Sequence, residues 1–130
     1  ERMPSVYQAA DLPVLPSIQT SEVTELWGIV VNEAMAAGTC VVASDVVGAV
    51  QAGLLRHNET GLTFRSGNSQ SLAEAIHWGL GHPDDRARLA AAGNQAVRSY
   101  TSAAMAASFR RAAVLASRQT SVLSQGGGAL

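Results

Sequence analysis

Two carboxylates at a fixed spacing offer the clearest chemistry in this chain: Glu25 and Glu33, with seven residues between them. They stand in the run ELWGIVVNEAMAAGTCVVASD, from Glu25 to Asp45. The chain has no lysine, and Met3 to Leu55 has no arginine either. That same span carries Asp11, Glu22, Glu25, Glu33 and Asp45. A site built here offers carboxylates and backbone N–H groups, but no local cationic side chain. A carboxylate accepts hydrogen bonds and donates none, so two neighbouring hydroxyls suit it well.

The elements that hold these groups follow from the residues around them. Gly28 ends a polar, irregular run, and Ile29 to Ala37 is rich in helix formers. Gly38 stands where a C′ glycine stops a helix. A helix starting near Gly28 leaves unpaired N–H groups and a positive dipole end, a natural seat for phosphate. Glu33 lies about one turn in, and helical side chains lean back toward the N-terminus. Its carboxylate therefore reaches a group beside an anion bound at that end. Glu25, in the loop before the helix, reaches a second hydroxyl-bearing group. Phosphate with hydroxylated groups on either side describes a nucleotide sugar. The plainer alternative is that the acids serve the helix. An acid in the first turns gains about 0.3–1 kcal/mol from the dipole alone, and Glu25 is then a solvated or capping residue.

The run WGIVVNEAMAAGTCVVASDVVGA closely resembles the sugar-nucleotide signature of retaining glycosyltransferases of family 4, group 1 type, which have the GT-B fold. The family pattern is E-x7-E with an aromatic-Gly pair inside it, followed by EAMA-x-G-x-P-VVAS. Glu25 and Glu33 match its glutamates, Trp27-Gly28 the pair, and Glu33-Ala34-Met35-Ala36 the helix. Cys40 stands where the family usually has proline. The resemblance extends from about Met3 to Tyr100. It implies an α/β fold, a partial Rossmann-like parallel sheet with flanking helices, as part of the C-terminal domain of a GT-B fold. It implies that Glu25 contacts the donor sugar and is the candidate catalytic residue. It implies that Glu33 binds the ribose hydroxyls, and that backbone amides of Gly28, Ile29 and Val30 meet the diphosphate.

The same resemblance implies no bound metal and no cofactor. The donor substrate it implies is a nucleotide diphosphate sugar, and the acceptor a carbohydrate, a lipid or a small molecule. The lack of a DxD motif agrees. The acceptor site of this family lies in the N-terminal domain, which becomes the expected partner, missing from this chain. The family's Arg and Lys pair, which stabilises the leaving diphosphate, is also not found, and for the lysine that follows from composition. Removing such cations costs orders of magnitude in rate, so the chain alone is expected to show no measurable transferase turnover. The competing expectation is a truncated or degenerate nucleotide-binding or scaffold module without catalytic activity.

Composition narrows the rest. At 130 residues the chain is at most one domain of ordinary size. Its 47% hydrophobic and 15% charged content argues for a packed core rather than disorder. A net charge of −1 leaves no basic footprint for nucleic acid. Cys40, the single cysteine, excludes an internal disulfide and any multi-cysteine zinc site. No apolar run reaches the roughly 18 residues of a membrane span, and no signal-peptide pattern opens the chain. A cytoplasmic location is the default, at the membrane face if the acceptor is a lipid. A dehydrogenase reading fails for want of a G-x-G-x-x-G turn.

In chain order, Met3 to Asp11 reads as a short helix with Pro4 in its first turn. Leu12 to Leu15 reads as a strand, with Pro13 arguing for an edge. Ser17 to Thr24 is a loop, Cys40 to Ala43 a buried strand, and Ser44 to Gly48 a second loop. Val47-Gly48-Ala49 there is either an approach for ligand or an ordinary turn. His57 reads as a solvated turn residue, and Leu62 to Phe64 as a third strand. Ser69 or Ser71 caps a helix to about Leu80, with Leu72, Ala75, Ile76 and Leu80 on one face and His77 and Trp78 at a packed boundary. A further helix runs from Pro83 to about Ser99, with a break plausible at Gly93, and a last one from Ala103 to about Arg118. The expected organisation is a partial nucleotide-sugar-binding domain over 1–100, a C-terminal helix over 101–118 and a flexible tail over 119–130.

Overall fold

The computed structural model describes residues 3–20, 25–101, 103–104, 106–108, 110–112 and 114. The chain divides into two compact units, Glu1–Arg98 and Ser99–Leu130. The first holds α1 (Met3–Ala9), β1 (Val14–Leu15), α2 (Ile29–Ala36), β2 (Val42–Ser44), α3 (Gly48–Gln51), β3 (Leu62–Phe64), α4 (Ser69–Gly81) and α5 (Pro83–Val97). The strands form one parallel sheet in the order β1-β2-β3. Val14 lies opposite Val42, and Val42 opposite Leu62. This is the α/β arrangement of parallel strands and flanking helices that the resemblance implies.

The middle strand explains the two cores. Successive strand residues point to opposite faces. Val41 and Ala43 join a cluster with Tyr7, Val31, Met35 and Leu54. Cys40 and Val42 join a cluster with Leu62, Phe64, Ala75 and Leu89. Burial on both faces is why this segment reads as a continuous apolar run rather than an alternating one.

α2, which carries the candidate chemistry, is fixed at its far end. Gly38 adopts a left-handed φ of 77°. Its N–H bonds the Met35 carbonyl at 3.0 Å, and the Thr39 N–H bonds the Ala34 carbonyl at 3.0 Å. This is the Schellman pattern that a C′ glycine permits. Asn94 of α5 adds two side-chain bonds, to the carbonyls of Met35 and Ala36, each 3.0 Å.

Several boundaries differ from those the sequence suggests. β1 is shorter than Leu12 to Leu15 because Pro13 has no N–H to give; its carbonyl accepts from Val42 at 2.9 Å. β2 sits later, at Val42–Ser44, and α3 occupies the stretch of unclear type after Val47. The cap of α4 is Asn68, not Ser69 or Ser71: its Oδ1 accepts the Ser71 N–H at 2.9 Å. The Ser71 hydroxyl instead accepts the Arg65 N–H at 3.1 Å. On α4, His77 is exposed and Leu80 is 52% exposed, while Gly79 is buried. A Cβ at 79 would meet Leu12 Cδ2 at 2.9 Å, so the helix face is chosen by that close approach rather than by Leu80. α5 runs unbroken through Gly93, where a Cβ would lie 2.7 Å from the Thr60 carbonyl oxygen. That glycine serves packing, not a break. His57 is exposed but has a partner: its Nδ1 accepts the Thr63 N–H at 3.0 Å.

In the second unit, residues 103–104, 106–108, 110–112 and 114 are helical, and the Thr101 hydroxyl accepts the Ala104 N–H at 3.1 Å. The expected continuation to Arg118 and the expected tail over 119–130 lie outside the described residues. Among the described residues no helix is long and apolar enough to cross a membrane.

Candidate functional site

Gly28 sets the geometry of the loop-to-helix junction. It is the N-cap of α2, in a left-handed conformation with φ 77° and ψ 67°, and supplies no side chain to cap the helix. The Val31 N–H takes a bond of 2.9 Å to the Gly28 carbonyl. The N–H groups of Ile29 and Val30 are left to be met from outside the helix. The Gly28 N–H is engaged by Glu25, whose Oε1 accepts it at 3.1 Å. Of the three expected amides, two therefore stand ready and the third is held by the first glutamate. Glu25 thus braces the residue before the helix without meeting the first N–H groups of the helix itself.

Glu33 is half-buried on α2, and its Oε2 accepts a hydrogen bond of 2.6 Å from the Tyr7 hydroxyl. Tyr7 is 8% exposed and belongs to the core cluster on that side of the sheet. Donation to the carboxylate, then burial, then the carboxylate's charge push the phenol above its ordinary range. A carboxylate offers about four lone-pair sites, and one donor leaves room for a vicinal pair of hydroxyls. Sequence reading missed Tyr7. The available signal was a tyrosine on a short helix, because a buried phenol needs a partner. Trp27, the aromatic of the motif, donates from Nε1 to Asn32 Oδ1 at 2.7 Å, which ties the loop to the same helix.

The carboxyl ends of the three strands are tied together beside this junction. The Ser17 carbonyl, after β1, accepts from Ser44 Oγ at 2.6 Å and from Ser66 Oγ at 3.3 Å. Asp45 Oδ1 accepts the Ser66 N–H at 2.9 Å. Crevices at the carboxyl ends of parallel strands are where open α/β sheets take ligands. Val47 and Gly48, in the stretch that reads either as an approach for ligand or as an ordinary turn, pack on the chain itself. Val47 is fully buried, and a Cβ on Gly28 would come within 2.7 Å of its Cγ1. Ala49 donates its N–H to the Trp27 carbonyl at 2.9 Å.

An open cleft of about 830 Å³ lies elsewhere, along β3 and α4, lined by Asp45, His57, Arg65, Glu74 and Trp78 among others. It includes neither glutamate of the motif. Its charges are of both signs. Among the described residues no group of three or more His, Cys, Asp or Glu side chains could hold a metal ion.

Comparison with known proteins bears on this geometry. The family described as Glycosyl transferases group 1 matches residues 1–96. A D-inositol 3-phosphate glycosyltransferase of Rhodococcus erythropolis is 35% identical over 118 residues, which is 88% of this chain and 25% of that protein. A phosphatidyl-myo-inositol mannosyltransferase of Mycobacterium leprae is 39% identical over 104 residues, 80% of this chain and 26% of that one. The chain thus spans about a quarter of the length of these relatives. Among solved structures, HepE of Anabaena in complex with UDP-glucose superposes with a TM-score of 0.67 at 28% identity, covering 90% of this chain and 30% of that one. The C-terminal domain of a group 1 family glycosyl transferase, LpcC of Francisella tularensis, superposes with a TM-score of 0.64 at 26% identity, covering 75% of this chain and 46% of that one. Motif, family match and fold agree: this chain belongs to the group 1, family 4 glycosyltransferases and carries part of the C-terminal domain of their GT-B fold.

Proposed function

We propose that this chain is the donor-binding part of a retaining glycosyltransferase. The parent enzyme transfers a sugar from a nucleotide diphosphate sugar to an acceptor hydroxyl, with retention of configuration. The observation that carries this reading is the junction at Gly28. Two outward N–H groups, of Ile29 and Val30, open a helix whose Glu33 presents a half-buried, anchored carboxylate about one turn in. In this reading the amides of Ile29 and Val30 hold the diphosphate, joined by that of Gly28 once Glu25 releases it. Glu33 accepts from the ribose hydroxyls. Glu25 contacts the donor sugar. A solved relative that holds UDP-glucose supports a nucleoside diphosphate sugar as donor.

The charge balance bounds what the chain does alone. No lysine is available anywhere to meet the leaving diphosphate, and the span around the motif carries no arginine. The cations and the acceptor site come from other parts of the parent protein, so the isolated chain binds donor without turnover. A nucleotide titration tests the reading directly. UDP, GDP and ADP are added to the labelled 130-residue chain and backbone amide shifts are followed. Shifts centred on Gly28 to Glu33, abolished by Glu33→Ala, are expected, and the strongest ligand identifies the base. A dispersed spectrum that ignores all three nucleotides refutes a surviving donor site.

A further inference from the structure

Tyr7 sits outside the motif, yet its hydroxyl donates to the motif's second glutamate at 2.6 Å. Its position is set three ways. It is buried in the core cluster that also holds Val31, Ala34, Met35 and Val41. Its carbonyl accepts from the Thr39 hydroxyl, a buried group just past the end of α2, at 3.0 Å. The same carbonyl accepts the Ala10 N–H at 3.2 Å, closing the end of α1. The phenol oxygen is therefore a fixed point relative to α2, at hydrogen-bond distance from Glu33 Oε2. A hydrogen bond to an ionised carboxylate is among the stronger kinds. A glutamate side chain without such an anchor samples several rotamers and loses that freedom only when ligand arrives.

We propose that Tyr7 is a positioning residue: it holds the Glu33 carboxylate in the orientation that receives a vicinal diol, and so makes the site selective for ribonucleoside over 2′-deoxyribonucleoside diphosphates. This rests on the donor-binding reading given above. Tyr7 donates once to Oε2, and the carboxylate keeps a lone pair on each oxygen for the two hydroxyls. Loss of the phenol leaves the carboxylate in place but unaligned. The cost then falls most heavily on the ligand that uses both hydroxyls.

The test compares UDP with 2′-deoxy-UDP, each titrated into the full chain by amide shifts, in wild type, Tyr7→Phe and Glu33→Gln. Wild type is expected to favour UDP by about tenfold, the worth of one well-made hydrogen bond to a charged group. Tyr7→Phe is expected to weaken UDP by about 3–10-fold and to weaken 2′-deoxy-UDP, which keeps one of the two hydroxyls, by clearly less, so that the preference shrinks. Glu33→Gln is expected to abolish the preference. A Tyr7→Phe protein that weakens both nucleotides equally, or keeps the preference intact, overturns the proposal while the donor-binding reading stands. Wild type that binds neither nucleotide sinks that reading and this inference with it. A second measurement needs no variant: three-bond couplings of Glu33 in the wild-type chain are expected to report one χ1 and χ2 rotamer. Rotamer-averaged couplings overturn the proposal even where Tyr7→Phe fails to fold.

Discussion

Gly48 and Leu26 meet backbone to backbone: a Cβ at position 48 would lie 1.9 Å from the Leu26 carbonyl oxygen and 2.9 Å from Trp27 Cα. The start of α3 is thereby in contact with the loop that carries Glu25, and the Ala49 N–H bond to Trp27 fastens them. Gly48→Ala forces one of two backbones to move. The expected loss is about 1–3 kcal/mol, typical of overpacking that shifts backbone, together with amide shifts across 25–28. Urea unfolding and an amide spectrum check it; an unchanged midpoint contradicts the contact.

Two glycines separate conformation from crowding. Gly28 and Gly38 share φ 77°, but a Cβ at 38 meets nothing within 4 Å. At 28 it meets Val47 Cγ1 at 2.7 Å and Leu15 Cδ2 at 2.8 Å. Gly38→Ala should therefore cost only the left-handed penalty, about 1–2 kcal/mol. Gly28→Ala should cost that and a further 1–3 kcal/mol or so of overpacking. Denaturant midpoints of the two variants decide the matter, and equal losses would count against the packing described for Gly28.

Glu25 holds an N–H that the proposed diphosphate also uses. Glu25→Gln keeps an oxygen to accept from Gly28 but removes a negative charge beside the helix start. UDP should bind about 3–10-fold tighter to the variant, with the gain shrinking as salt rises. Calorimetric titration at two ionic strengths reads this. Weaker UDP binding at both would mean that the carboxylate aids, rather than opposes, the diphosphate.

The Cys40 thiol is 2% exposed. Burial pushes its pKa up to about 11 from 9.0, against a smaller downward pull from Arg86. The folded state then holds a proton that the unfolded chain gives up sooner. Its stabilising contribution is complete below pH 9 and is lost as pH rises toward 11. The raised phenol of Tyr7 acts in the same direction at alkaline pH, so the comparison needs Cys40→Ala. The difference in stability between wild type and variant should narrow by about 1–3 kcal/mol from pH 8 to pH 11. Denaturant unfolding at the two pH values measures it, and a constant difference rules the thiol out.

How far the sequence was legible depended on the range of the forces involved. Gly38 announces the end of α2 because a C′ glycine acts through its own neighbours. Ile29 to Ala36 forms the expected helix for the same local reason. β1 and β2 were placed only to within a couple of residues, since ladder bonds such as Val42 N–H to Pro13 join segments far apart in sequence. The two roles of Gly48 and Gly93 were hidden because each glycine answers to a backbone carbonyl elsewhere in the chain, of Leu26 and of Thr60. Tyr7 was hidden likewise: Glu33 lies 26 residues away, on a helix whose approach to α1 no pattern in either segment records.

One detail of β3 sets the direction in which this sheet can grow. Its inward groups bond β2 through the Leu62 N–H and the Phe64 carbonyl, so Thr63 and Arg65 face the open side. Both of their N–H groups are stoppered by side chains, His57 on Thr63 and Ser71 on Arg65. At the opposite border, β1 turns Pro13 and Leu15 toward β2, which leaves the amide and carbonyl of Val14 facing outward. A further strand can therefore be templated beside β1 but not beside β3 without first evicting two side chains. Among the described residues the two borders of the sheet thus differ: side chains occupy the outward N–H groups beside β3, while the border at Val14 carries a bare backbone edge of the kind that invites pairing.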